Sequence, residues 1–502
     1  MSRLTPAVLV CALAVAGAAG ATPGRTIGVA DFESAVQTAQ GGFFRSVGAS
    51  PDQVRDSLAT VGEPASGAWR VEVTAGAPDA DVGGIIPLFD ERMEAGAPAL
   101  LNIGEAPNLC LRLIGDLGER RLRVDVVATR SPDPSEPGVL LRKLDPSELD
   151  RSRWREVILA IPSDRQDLAR LGAIRLLLDG QGPAWFAVDA VGFVADGGGI
   201  PAPTGEPARP HRLRKAMWVW RPEQTLAEPQ QIKDLLAVCR RDGFTDLFCQ
   251  VPYLYENENI RLALVDEQRA LNTAAAQAGI TVHALDGARH YARRENHSRL
   301  FKLVKALDEF NRAGAPESRY RGVHMDNEPY LLDEWKQGGE SQQRLIQEYL
   351  ELNRELGRLT KAAGMQFGVD IPFWWDKVEL SGKAVFRVKT ENGEIPLLEA
   401  LFPHVQNVAV MSYRDRVTGH NGVVGTCLTE LALGARLGVD VFASVEVGWP
   451  RTEKGTSFGG YSREYFLTQL ATLERIVSSQ AGCAGIAIHA YHYYRDFAEK
   501  RP

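Results

Sequence analysis

Between residues 213 and 502 short apolar runs alternate with longer stretches whose apolar positions recur every three or four residues. The runs fall at 216–220, 246–251, 280–285, 322–326, 366–371, 407–412, 441–446 and 485–489. Their near-continuous apolarity predicts strands buried on both faces, as in a parallel sheet. The intervening stretches 229–241, 300–313, 342–363 and 464–478 have the period of amphipathic helices. Strands and crossover helices in this alternation, over about 290 residues, predict an α/β fold of the (β/α)8 TIM-barrel type. A doubly wound open sheet is the alternative, but no Gly-x-Gly-x-x-Gly follows the first run.

Residues 26–194 carry a different rhythm. Short alternating runs at 69–74, 110–114, 121–127, 154–161, 174–178 and 185–194 are separated by turns rich in Gly, Pro and Asp. That pattern predicts an antiparallel β-sandwich of the jelly-roll kind. Residues 195–212 hold too few apolar groups to pack and too many prolines and glycines to form an element, and so mark a linker. At the start, Arg3, the apolar run 9–19 and Ala19-Gly20-Ala21 have the form of a cleaved secretory leader over residues 1–21. Export to the periplasm or the medium is therefore expected, with a mature chain beginning at Thr22. No other segment is long and apolar enough to span a bilayer.

Composition removes several function classes. Lys+Arg 57 against Asp+Glu 64 gives a net charge of −7 with no long basic tract, which argues against nucleic acid as a partner. The six cysteines have no metal-ligand spacing, and five of them follow the leader. Buried thiols are the expectation, with one bridge as the alternative. His283, His290 and His324 show no His-Glu-x-x-His spacing, so no metal is expected in the barrel.

In a barrel of this kind the chemistry lies at the carboxyl ends of the strands. Those ends carry Trp220, Gln250, Asp286, Asp326-Asn327-Glu328-Pro329-Tyr330, Asp370, Tyr413-Arg414-Asp415, Glu446 and His489. Acids and aromatics dominate, which suits cleavage of a glycosidic bond: two carboxyl groups flank the acetal and flat rings face the sugar. Trp220, Trp374 and Trp449 are candidate stacking platforms. Asp286, Asp370, Asn327, Arg414 and His489 are candidate substrate contacts. The carbohydrate is the expected partner, no cofactor is needed, and the oligomeric state is left open.

Three resemblances sharpen this reading. Asn327-Glu328-Pro329 at the fourth strand with Glu446 at the seventh resembles the clan A retaining glycosidases. The resemblance implies Glu328 as acid/base, Glu446 as nucleophile and Asn327 at the sugar 2-hydroxyl. Glu446 would then stay ionised, held by donors such as Arg414. The segment Gly322-Val-His324-Met-Asp326-Asn-Glu328 and Met411-Ser-Tyr413 resemble family 18 chitinases, where Asp326 would orient an N-acetyl group and Tyr413 would support the oxazolinium ion. This chain departs from that pattern, with His324 in place of the first Asp and Arg414 where the family has Asp. The whole set of barrel motifs is also similar to a group of secreted bacterial barrel proteins. A glycan-binding barrel without catalysis is the competing non-enzyme reading.

The opening Ile27-Gly-Val-Ala-Asp-Phe-Glu33 and closing Trp185-Phe-Ala-Val-Asp-Ala-Val-Gly-Phe193 resemble the outer strands of galactose-binding-like jelly rolls. That resemblance implies a carbohydrate-binding accessory domain and a structural calcium on Asp31, Glu33 and Asp189. A purely structural domain is the alternative.

Overall fold

The computed structural model describes residues 26–32, 44–47, 50, 53–62, 66–89, 100–103, 106–129, 137–195, 212–379, 383–391, 393–419, 421–448 and 455–499. The leader 1–21, most of the linker, Glu33 and Trp449 lie outside them, and so does the side chain of Asp31.

The N-terminal domain is built from antiparallel sheets. In one, Arg155–Ala160, Asn108–Asp116, Ala184–Val194, Ser66–Val73 and Val54–Val61 lie side by side, and Thr26–Asp31 also pairs with Ala184–Val194. The other runs Arg45–Val47, Val82–Pro87, Ala173–Asp179, Arg121–Val127 and Val139–Leu144. The first strand of the chain thus pairs with the last strand of the domain, Thr26 opposite Val194 and Ile27 opposite Phe193. Inward residues such as Trp69, Leu111, Val124, Leu176 and Phe186 are fully buried. Phe32, Phe44 and Trp69 form one aromatic cluster, with Phe32 and Phe44 ring centroids 4.8 Å apart. Asp189, buried, is paired with Arg112, which neutralises the carboxylate proposed for calcium.

The second domain is a closed parallel barrel in sequence order: Arg214–Val219, Asp246–Gln250, Thr281–Asp286, Gly322–Met325, Gln366–Pro372, Asn407–Met411, Asp440–Glu446 and Cys483–His489. Strand 8 pairs back to strand 1, with Arg214 opposite Gly485. Helices Pro229–Asp242, Val265–Gln277, His297–Ala313, Gly339–Ala362, Leu428–Leu437 and Arg463–Val477 cover the outside. Helix Pro229–Asp242 shows the expected local logic. Pro sits in its first turn, Ile232, Leu235, Leu236 and Cys239 face the barrel, and Gly243 ends it at φ 74°.

The interior is not wholly apolar. Ala216, Trp218, Phe248, Leu285, Ala409, Phe442 and Ala487 pack together, but His283, His324, Asp370 and Ser444 are also buried inside. His324 points into the barrel, its ring stacked on Phe248 at 3.9 Å. It meets Asp370 at 2.8 Å through Nε2 and Asn407 at 3.1 Å through Nδ1. Gly368 makes room for this contact: a Cβ there would lie 1.9 Å from Asn407 Oδ1 and 2.6 Å from His324 Nδ1. Cys110, Cys239, Cys249, Cys427 and Cys483 are buried and unbridged, the first of the two expectations.

One buried acid sets a stability prediction. Glu430, on helix Leu428–Leu437, is fully buried, and neither of its carboxyl oxygens has a hydrogen-bond partner among the described residues. Burial holds its carboxyl well above the usual range, and Asp376 adds to the effect. Its folded-state pKa exceeds the unfolded one, so the folded chain binds the extra proton. Stability is therefore full at acid pH and falls as pH climbs through the raised value. Glu430→Gln removes that slope: its urea midpoint at alkaline pH exceeds that of the wild type, while the two converge near pH ~4.5. Parallel midpoints across the range would contradict this.

Candidate active site

Strand 4 ends in a tight turn. After Met325 the chain leaves the barrel through Asp326, Asn327 and Glu328, and Pro329 opens a short 3-10 turn, Pro329–Leu331. The turn brings the Tyr330 hydroxyl back to donate to Glu328 Oε1. Glu328 is only partly exposed. Burial pushes its carboxyl above the ordinary value; Asp370 adds to this, while the Tyr330 hydrogen bond opposes it. Asp326 is raised further, by burial first and then by Asp370 and Glu328. Its Oδ1 and the Asn327 Nδ2 are both buried without a partner among the described residues, while Asn327 Oδ1 accepts from Ala288 N at 3.4 Å.

Strand 7 ends at Glu446, whose two oxygens have different donors. Gly448 N–H donates to Oε1, and His489 Nδ1 meets Oε2 at 2.7 Å. The tautomer follows from the next bond: Trp220 Nε1, which can only donate, reaches His489 Nε2 at 3.0 Å. His489 therefore carries its proton on Nδ1, directed at Glu446. These donors, rather than Arg414, hold the Glu446 carboxylate. Arg414 is turned elsewhere: Nε donates to Asn421 Oδ1 at 2.8 Å, a second nitrogen to Tyr413 O at 2.7 Å, and the guanidinium covers Phe373 at 4.1 Å. Gly448 is tightly boxed, since a Cβ would stand 2.7 Å from the Tyr493 ring and 2.9 Å from Glu446 Oε1.

Tyr413 joins the two halves of the mouth. Its ring lies 5.9 Å from that of His489. Burial raises its phenol well above the usual range, and Glu446, Asp370, Asp326 and Glu328 all push the same way. Carboxyl groups from strands 4, 5 and 7 thus all act by their charge on one hydroxyl. Asp370 itself is 2% exposed, with Oδ1 on His324 and Oδ2 accepting from Trp218 Nε1 at 3.0 Å. It acts on Glu328 through its charge. Asp286, at strand 3, accepts from Tyr253 OH at 2.7 Å and from Gly287 N. Tyr253 in turn meets Tyr291 OH and Arg299. Trp374 keeps part of its surface exposed, with Tyr330, Trp335, Trp375 and Phe386 packed against it at ring distances of 5.2–6.4 Å.

The residues that sequence reading left without a role are Tyr330, Trp218 and the Gly448 amide. Tyr330 had a signal, its place after Asn-Glu-Pro; Trp218 had none, because Asp370 is 152 positions away. The Tyr330 contact makes a test. In Tyr330→Phe the carboxylate of Glu328 loses a donor, so the acid form persists to higher pH. The alkaline limb of any Glu328-dependent turnover shifts upward in a pH–rate profile, and an unmoved limb would count against the pairing.

Among the described residues, no group of three His, Cys, Asp or Glu side chains could hold a metal ion, and no helix is long and apolar enough to cross a membrane.

The closed eight-stranded barrel behind an antiparallel sandwich defines the class: this is a two-domain TIM-barrel protein. No protein-family model matches the chain, and no curated protein matches it. Several solved structures are similar. One holds the CBM22-1–GH10 modules of Clostridium thermocellum endo-1,4-beta-D-xylanase 10B complexed with xylohexaose. It covers 93% of this chain and 90% of its own at 11% identity and a TM-score of 0.34. A chitinase from Chromobacterium violaceum covers 58% of this chain and 100% of its own, at 13% identity and 0.34. A GH18 chitinase from Pseudoalteromonas aurantia covers 57% and 99%, at 12% and 0.37. Likeness at this level assigns no activity to the chain.

Proposed function

We propose that the barrel is a glycoside hydrolase acting on a poly- or oligosaccharide, with Glu328 as acid/base and Glu446 as nucleophile. The observation that carries the reading is the mouth around Tyr413. There burial raises the Glu328 carboxyl, two donors hold the Glu446 carboxylate, and both groups act by charge on the Tyr413 phenol. In the first step Glu328 gives its proton to the glycosidic oxygen as Glu446 attacks the anomeric carbon, and the bond to the leaving sugar breaks. In the second, Glu328, now ionised, takes a proton from water, whose oxygen displaces Glu446 with overall retention. The His489 and Gly448 donors stabilise Glu446 as it leaves. Asn327 Nδ2, buried and unpartnered among the described residues, would have to turn toward the mouth to reach a sugar hydroxyl, and Trp220 and Trp374 offer ring surface. No cofactor enters.

A second reading is favoured by Asp326. Its unpartnered oxygen beside Glu328 suits an amide donor from a 2-acetamido sugar, whose carbonyl would replace Glu446 as nucleophile. The test is a polysaccharide panel assayed with wild type and Glu328→Gln, with the anomer of the first product read by NMR. Retention on neutral glycans supports the first reading, and cleavage confined to N-acetylated glycans supports the second. If the protein binds glycans but cuts none, the barrel is a binding module. The leader-like residues 1–21 extend the proposal to export, checked by whether the exported protein begins at Thr22.

A further inference from the structure

The sandwich strand Val54–Val61 carries Asp56 in the inward register of Val54 and Leu58, where the pattern calls for an apolar side chain. Asp56 is nonetheless 3% exposed, and its carboxylate is fully occupied. From its own domain it accepts from Ser46 N at 3.3 Å, Ser46 Oγ at 2.8 Å and Trp69 Nε1 at 2.9 Å. From the barrel it accepts from the Thr418 hydroxyl. Its main-chain carbonyl also accepts from Gln469 Nε2 at 2.7 Å, and Gln469 Oε1 accepts from Val417 N at 2.8 Å. One residue of the sandwich thus holds positions 417 and 418 through both side chain and backbone.

Those positions lie on the loop that leaves strand 6, a few residues after Tyr413 and Arg414. The other side of the loop is tied to the strand-7 segment. Asp415 N donates to Gly455 O at 3.1 Å, Tyr461 OH to Asp415 Oδ2 at 2.6 Å and Tyr465 OH to Asp415 O at 2.8 Å. Asp56 closes this clamp. A buried carboxylate in an apolar register costs stability unless donors compensate it, and here one of its four donors, the Thr418 hydroxyl, comes from across the domain boundary.

We infer that Asp56 is a positioning residue for the catalytic mouth: through Thr418 and Gln469 it sets the strand-6 loop and with it the Tyr413 phenol, so the sandwich is part of the site. The effect on turnover rests on the hydrolase reading above; the anchoring of the loop does not.

The test compares full-length wild type, Thr418→Val, Thr418→Ser and Asp56→Asn by hydrogen exchange and in the hydrolysis assay. Thr418→Val is expected to speed amide exchange across 412–427 by about tenfold, leaving strand 5 unchanged. It is expected to lower kcat by about tenfold with KM within about twofold, and Thr418→Ser to restore both. Asp56→Asn follows Thr418→Val; should it unfold the sandwich, the Thr418 pair alters only a barrel side chain and still decides. Unchanged exchange across 412–427 overturns the anchoring. Faster exchange with unchanged kcat overturns the positioning role. If wild type cuts no glycan, the hydrolase reading falls, and exchange alone upholds or overturns the anchoring.

Discussion

Replacing Glu328 by Gln lowers turnover of an unactivated glycan by about 10²–10⁴-fold, the range over which a positioned general acid acts. The substitution preserves size, and the amide oxygen still accepts from Tyr330, so folding and ligand affinity stay near wild type. The loss is smaller on an aryl glycoside, whose leaving group departs without a proton. The alkaline limb of the pH–rate profile should also disappear. Burial and Asp370 keep the wild-type carboxyl protonated above its ordinary range, so activity holds below the raised pKa and falls as pH passes it. A variant that retains more than about a tenth of wild-type kcat/KM on natural glycans would remove Glu328 from the mechanism.

Glu446→Ala reduces turnover by at least about 10³-fold if Glu446 forms the glycosyl bond, because the covalent route has no other nucleophile at strand 7. Azide, small enough for the vacated space, then restores turnover and yields a product of inverted configuration. His489 and Gly448 N–H lose their acceptor in this variant. Loss of activity alone therefore does not separate a missing nucleophile from a displaced imidazole; the azide product does. Under the substrate-assisted alternative Glu446→Ala keeps most activity, and Asp326→Asn is the damaging change. Circular dichroism and thermal unfolding of the full chain confirm that each variant is folded.

The barrel was legible because its strands are buried on both faces. Continuous apolar runs such as 407–412 and 441–446 leave no other reading at that length, and all eight runs match the observed strands within a few residues. The sandwich was less so. Val54–Val61 has Asp56 in its inward register, Val82–Pro87 contains two glycines and ends in Pro, and Val139–Leu144 is an edge strand with exposed residues. Each looks like turn or loop when only apolar alternation is read.

For the candidate site the division is similar. Placing Asp326, Glu328, Glu446, Tyr413 and His489 at one end of the barrel follows from the chain, because a parallel barrel puts every strand's carboxyl end on the same face. Which group holds which required the tertiary structure. Glu446 is held by His489, 43 positions on, and Asp370 by Trp218, 152 positions before. Asp56 reaches Thr418 across 362 positions and a domain boundary. The reason is physical: a strand's register is set by local alternation of side chains, whereas a carboxylate's proton and orientation are set by donors and charges a few ångströms away in space, wherever along the chain they originate.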